Sequence, residues 1–138
     1  MASVWFLKGL VHALKGDITG GLDAADIKVA LVESTYSVDQ ADEVIGDVSP
    51  IAATSANVTG QTVAIVDGEV QFSCDAVTWP TVAEGAACNK VVAYWDSGSA
   101  GTRYVIACND LASAVTPDGN DINLTWGADG VAKISPPA

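Results

Sequence analysis

One histidine, three cysteines and seventeen carboxylates are the groups in this chain that could do chemistry. His12 would have to serve any Ser-His-Asp or Cys-His arrangement, because no other imidazole exists to take the proton. No Gly-x-Ser-x-Gly elbow accompanies it. Cys74, Cys88 and Cys108 are odd in number and form no C-x-x-C pair, so neither a disulfide framework nor a zinc site is expected. Cys74 and Cys108 fall in strand-like runs, where a thiol behaves as a small apolar side chain. A reducing, cytosolic folding compartment accounts for all three. Glycoside hydrolysis needs two facing carboxylates. Asp96, Asp110, Asp118 and Asp121 lie near loop ends, where capping of turns explains them better. Asp118-Gly119-Asn120-Asp121 has the look of a calcium loop but lacks the distal bidentate Glu. Asp17-Ile18-Thr19-Gly20-Gly21 lacks the Lys and spacing of a phosphate loop. No catalytic residue, metal or cofactor is therefore assigned, and the chain reads as something other than an enzyme.

The aromatic residues offer a different chemistry. Trp5, Trp79, Trp95 and Trp126, with Tyr36, Tyr94 and Tyr104, could stack on sugars if several were exposed together. Trp95 and Trp126 sit in strand-like runs and read as core. Trp79 stands beside Pro80 in a loop-like stretch and reads as an exposed anchor, of the kind enriched at protein interfaces.

The elements that must carry these groups follow from periodicity. Residues 3 to 15 read as the only substantial helix. Val4, Leu7, Val11 and Leu14 recur at three- and four-residue spacing, and Trp5, Phe6 and Leu10 widen the stripe. Ser3 is the expected N-cap and Gly16 the expected stop. Gly9 weakens the helix by about 1 kcal/mol relative to Ala, so packing must compensate. The polar side is thin, with Lys8, His12 and Lys15, and a helix this apolar calls for a cover.

From Asp26 the period changes to two. Ile27, Val29 and Leu31 alternate with Lys28, Ala30 and Val32. Val38 to Val44 reads as a short turn capped by Asp39, and Pro50 to Gly60 as an arm-like loop. Thr62 to Val66, the Asp67-Gly68 turn and Glu69 to Asp75 form the clearest hairpin. Lys90 to Trp95 and Thr102 to Cys108 read as a second hairpin. Ile122 to Trp126 and Val131 to Ile134 follow. Pro80 ends any strand through Trp79. Seven or eight short strands with Gly-rich turns predict a mainly β fold, an antiparallel β-sandwich or jelly-roll-like barrel with one N-terminal α-helix. The chain is read as a single domain over 1–138, with a helix at 3–15, a β-sandwich at 26–135 and a tail at 136–138.

Charge narrows the partners. The net charge is −11, from six basic and seventeen acidic residues. The basic residues are scattered, so direct nucleic-acid contact is not expected. Anionic membrane surfaces are disfavoured for the same reason. Met1 to Leu14 has no basic n-region and Lys8 interrupts its apolar run, so a secretory signal is not expected.

The order of these segments resembles a known family. The segments are Ile27-Lys28-Val29-Ala30-Leu31-Val32 behind a short helix, Val91-Val92-Ala93-Tyr94-Trp95-Asp96-Ser97-Gly98, Arg103-Tyr104-Val105-Ile106-Ala107, Val115-Thr116-Pro117-Asp118-Gly119-Asn120-Asp121-Ile122, Leu124-Thr125-Trp126 and Val131-Ala132-Lys133-Ile134. Over most of the chain, with residues 34 to 60 matching least, this resembles the small virion structural proteins of tailed bacteriophages: capsid decoration, cement or head-fibre-like proteins. The resemblance implies a β-sandwich subunit made in the bacterial host cytoplasm and bound to the outer capsid surface. It further implies the major capsid protein as partner and self-association, as a dimer or trimer. A tail, neck or fibre component is the alternative within the same particle. A carbohydrate-binding sandwich and a histidine-dependent hydrolase are the alternatives of other classes. On the capsid reading, the expected interface is the helix and the loop at 50 to 60, through Trp5, Phe6 and Leu10, with Trp79 as a further anchor.

Overall fold

The computed structural model describes residues 3–135; the tail at 136–138 lies outside them. The fold is mainly β and antiparallel, with one α-helix near the N-terminus, as the sequence predicts. Its main sheet has five strands in the order β1-β8-β7-β2-β3. These are β1 (Ser3–Trp5), β8 (Val105–Val115), β7 (Cys88–Trp95), β2 (Ile27–Glu33) and β3 (Ile51–Thr54). Two smaller sheets complete the fold. One has the order β10-β5-β4, from β10 (Ala132–Ile134), β5 (Glu69–Ser73) and β4 (Thr62–Val66). The other pairs β6 (Val77–Trp79) with β9 (Ile122–Leu124).

The near-continuous apolar runs of β2 and β7 have a direct consequence: both faces of the main sheet are covered. Ile27, Phe72, Ala93, Ile106, Val131 and Ala132 pack together under the β10-β5-β4 sheet. Val29, Leu31, Val91, Trp79, Ile122 and Leu124 pack under β6 and β9. The opposite face of β2 and β7 presents Ala30, Val32, Val92 and Tyr94, covered by Phe6, Tyr36 and Val48. Alternation therefore feeds two cores from one strand. The arrangement is β-sandwich-like.

Besides β8, which runs Val105–Val115 where 102 to 108 is expected, two expected elements differ. The helix α1 spans Leu7–Lys15, not 3–15, because Ser3–Trp5 pairs with β8 as β1. Phe6, in extended conformation, is the residue before the first turn and offers no side-chain cap. Gln40 supplies one from 33 residues away: Leu7 N donates to its Oε1 at 2.8 Å, and its Nε2 donates to Trp5 O at 3.0 Å. Gly16 does end the helix, with φ 81°. The second difference is the segment at 50 to 60. Its first part is β3, hydrogen-bonded along β2, with Ser55 buried and bonded to Val29 N. It is a sheet edge rather than a free arm.

Candidate interaction face

Helix α1 rests on β8 through its smallest residue. Gly9 is buried, and the Val105 carbonyl stands where its Cβ would be. That contact sets the rotation of the helix. The face beside Gly9 and Ala13 turns inward, and the Leu7, Val11 and Leu14 stripe turns to solvent, with Leu14 77% exposed. The apolar stripe for which the sequence calls for a cover, by its own sheet or by a neighbouring subunit, is not covered by its own sheet.

This stripe continues across a groove onto the β10-β5-β4 sheet. The groove has a volume of about 280 Å³ and is lined by Trp5, Leu10, Leu14, Leu22, Val63, Val70 and Ile134, with Asp23 as its sole charged neighbour. Ile65 beyond it is 78% exposed. Val63, Ile65, Val70 and Phe72 share one face of the β4-β5 hairpin because Val63 pairs with Phe72 and Ile65 with Val70. The hairpin forms as expected: Val66 faces Glu69 across Asp67 and Gly68, which have φ of 51° and 80°. Apolar groups from helix and hairpin thus make one contiguous exposed area, the surface feature that marks an interaction site.

The four expected interface residues divide. Trp5 and Leu10 line the groove. Phe6 is 0% exposed and belongs to the core on the other face of the main sheet, because its N donates to Ile106 O and extends β1 by one residue, so that it points opposite to Trp5. Trp79 is 1% exposed; its ring fills the core between β2 and β6, and its Nε1 donates to Val29 O at 3.0 Å. Neither Phe6 nor Trp79 can anchor a partner from there. Burial of Trp79 also removes the exposed member of the proposed sugar platform. Among the groove residues, sequence reasoning missed Leu22, Val63, Val70 and Ile134, whose place there depends on tertiary packing.

The candidate chemical groups are engaged elsewhere. His12 sits between two carboxylates, with Nδ1 2.7 Å from Asp17 Oδ2 and Nε2 2.8 Å from Glu43 Oε1. Its ring stacks on Tyr104, with centroids 3.6 Å apart. Burial works against the charged ring, but the two carboxylates outweigh it and raise the pKa above 6.5. A protonated ring donates to both carboxylates, whereas a neutral ring donates to only one of them. Burial pushes the Cys74 thiol up to about 11 and the Cys108 thiol to about 12, away from the reactive thiolate. Asp118 Oδ1 accepts from Asn120 N as a turn cap, whereas Asp121 Oδ1 accepts from Thr81 N, 40 residues away, and ties two segments together. Asp96 bridges Lys28 and Arg103, both at 2.9 Å. Among the described residues, no group of three or more His, Cys, Asp or Glu could hold a metal ion, and no helix is long and apolar enough to cross a membrane. No protein-family model, curated protein or solved structure matches the chain.

Proposed function

We propose that this chain is a structural subunit of a larger protein assembly, docked through the α1–hairpin face. In the reading that the sequence resemblance favours, the assembly is a tailed-phage capsid, the partner is the major capsid protein, and the subunit decorates and stabilises the outer shell. A tail, neck or fibre position is the alternative within the particle. The observation that carries the proposal is the contiguous apolar face, with Leu14 and Ile65 more than three-quarters exposed in a chain of net charge −11. Burial of such a face is worth roughly 25 cal/mol per Å² of apolar area before the costs of association. Many copies placed by the symmetry of a shell would add avidity.

The test is saturable binding to purified capsids that lack the subunit. Leu14→Lys places a charge on a side chain that supports no core, so it should weaken binding and leave the fold unchanged by circular dichroism. No saturable binding, or binding indifferent to Leu14→Lys and Val70→Lys together, would overturn the proposal. Cryo-EM localisation in an intact particle separates shell from tail.

A further inference from the structure

Strand β4 ends its sheet. Its order, β10-β5-β4, leaves one side of Thr62–Val66 without a paired strand among the described residues, and all five residues are exposed. Natural edges are blunted by Lys, Pro, bulges or a covering element. The text Thr-Val-Ala-Ile-Val has no charge and no Pro, and its register with β5 runs without a bulge. The other edges are managed: β6 and β9 are three residues long, β3 follows Pro50 and meets β2 with a register irregularity, and β1 and β10 lie side by side, with Trp5 Nε1 donating to Lys133 O at 2.9 Å.

Which backbone groups point outward follows from the turn. Val66 and Glu69 flank a two-residue turn, so they form a hydrogen-bonded pair, and pairing alternates from there. Val66, Ala64 and Thr62 then direct their N–H and C=O groups to β5. Val63 and Ile65 direct theirs to the open side, where no described residue bonds them.

We propose that β4 pairs antiparallel with β4 of a second copy, about a two-fold axis at Ala64. That register sets Val63 opposite the second copy's Ile65 and, by symmetry, Ile65 opposite its Val63. The two outward-facing residues of each strand thus meet as hydrogen-bonded pairs and supply four ladder bonds. Thr62 faces the second copy's Val66, and Asp67 faces its Gln61, so no acid opposes an acid although each chain carries −11. The outward register lets a second copy of this strand complete the ladder, and the charge pattern sets no acid against an acid in that pairing. The contact is isologous, so it closes at two copies and consumes both edges. It joins two three-stranded sheets into one of six strands. The inference stands on the edge alone and holds whether or not the subunit decorates a capsid.

The experiment is sedimentation of the purified chain over a concentration series, with cysteine cross-linking. A species of twice the 14.0 kDa chain mass is expected. Ile65→Lys, at a solvent-facing position, should weaken the dimer by about tenfold or more while the circular dichroism spectrum stays unchanged. In a Cys74→Ala background, Ala64→Cys should cross-link to itself on mild oxidation, because a non-hydrogen-bonded pair on the axis has Cα atoms about 4.5 Å apart. Thr62→Cys, four residues from its symmetry mate's register, should not. A monomer at all concentrations overturns the proposal and leaves the edge to an extended segment of another protein. A dimer that survives Ile65→Lys, or that cross-links through Thr62→Cys instead of Ala64→Cys, overturns it as well.

Discussion

Gly9 of the helix and Val105 of the central sheet meet backbone to backbone: a Cβ on Gly9 would overlap the Val105 carbonyl oxygen. Propensity alone favours Ala there by about 1 kcal/mol. Geometry reverses the sign. The blocking atoms are backbone, pinned by the ladder that joins β8 to β7. Gly9→Ala should therefore destabilise the fold by about 1–3 kcal/mol, the range for overpacking, as read by denaturant midpoint. A stabilised variant would show that the helix can lift off β8 without loss.

That contact explains what the sequence could and could not reveal. The hairpin at 62 to 75 was legible because Asp67-Gly68 dictates a turn and alternation dictates faces, and both are local. The central strands were legible from their β-branched runs. The phase of the helix was not. Periodicity groups Leu7, Val11 and Leu14 on one side, but only a tertiary contact at Gly9 determines which side faces in. Trp79 fails for a similar reason. Pro80 correctly ends its strand, yet the indole is buried by β9 and by Val29, about fifty residues away in sequence. Of the groove residues, Trp5 and Leu10 were visible in the helical stripe. Val63 and Val70 needed the knowledge that β4 is an edge.

Trp79 should behave as a core residue. Trp79→Ala should cost about 3–5 kcal/mol in chemical denaturation, the range for emptying a large aromatic site. Trp79→Phe should cost less, since it keeps most of the volume and loses the bond to Val29 O. Neither change should alter a surface binding activity in the fraction that remains folded. Near-wild-type stability for Trp79→Ala would contradict the burial.

Asp96 ties β2 to the loop after β7. The Lys28 ammonium, then the Arg103 guanidinium, hold its carboxyl down to about 2 from an ordinary 3.8. A depressed folded-state pKa contributes stability that is present above 3.8 and lost as pH falls toward 2. With solvent screening around these part-exposed groups, the contribution is on the order of 1 kcal/mol. Asp96→Asn should be less stable than the parent by that amount at pH 6. The gap between the two should close between pH 4 and pH 2, as thermal denaturation across that range would show. A gap independent of pH would mean that packing, not charge, explains the loss.

His12 gives the opposite sign, and it reports on the contact between helix and loop. The groups facing it are Asp17 and Glu43, with Lys15 3.8 Å from Asp17 and Tyr104 stacked beneath the ring. Both ring nitrogens meet carboxylate oxygens, and a neutral ring could donate to only one of them. Its folded-state pKa is therefore raised above 6.5. A raised pKa contributes stability that is fully present below 6.5 and lost as pH rises through the folded-state value. Because this is the chain's single histidine, its ring protons give one unambiguous NMR titration. The midpoint should lie above 6.5 and fall in Glu43→Gln, which removes one charge but keeps a hydrogen-bond acceptor. Asp17 is held below its ordinary 3.8 chiefly by the bond from His12, so it stays charged through this window and the transition belongs to the ring. Lys8 Nζ donates to Ala41 O at 2.9 Å and Gln40 caps the helix, so the helix stays attached to the loop when the ring loses its proton. The expected change is thus a modest drop in melting temperature above the midpoint, absent in His12→Gln, with the β-sheet spectrum retained. A midpoint at or below 6.5 would mean that the two carboxylates do not clamp the ring in solution.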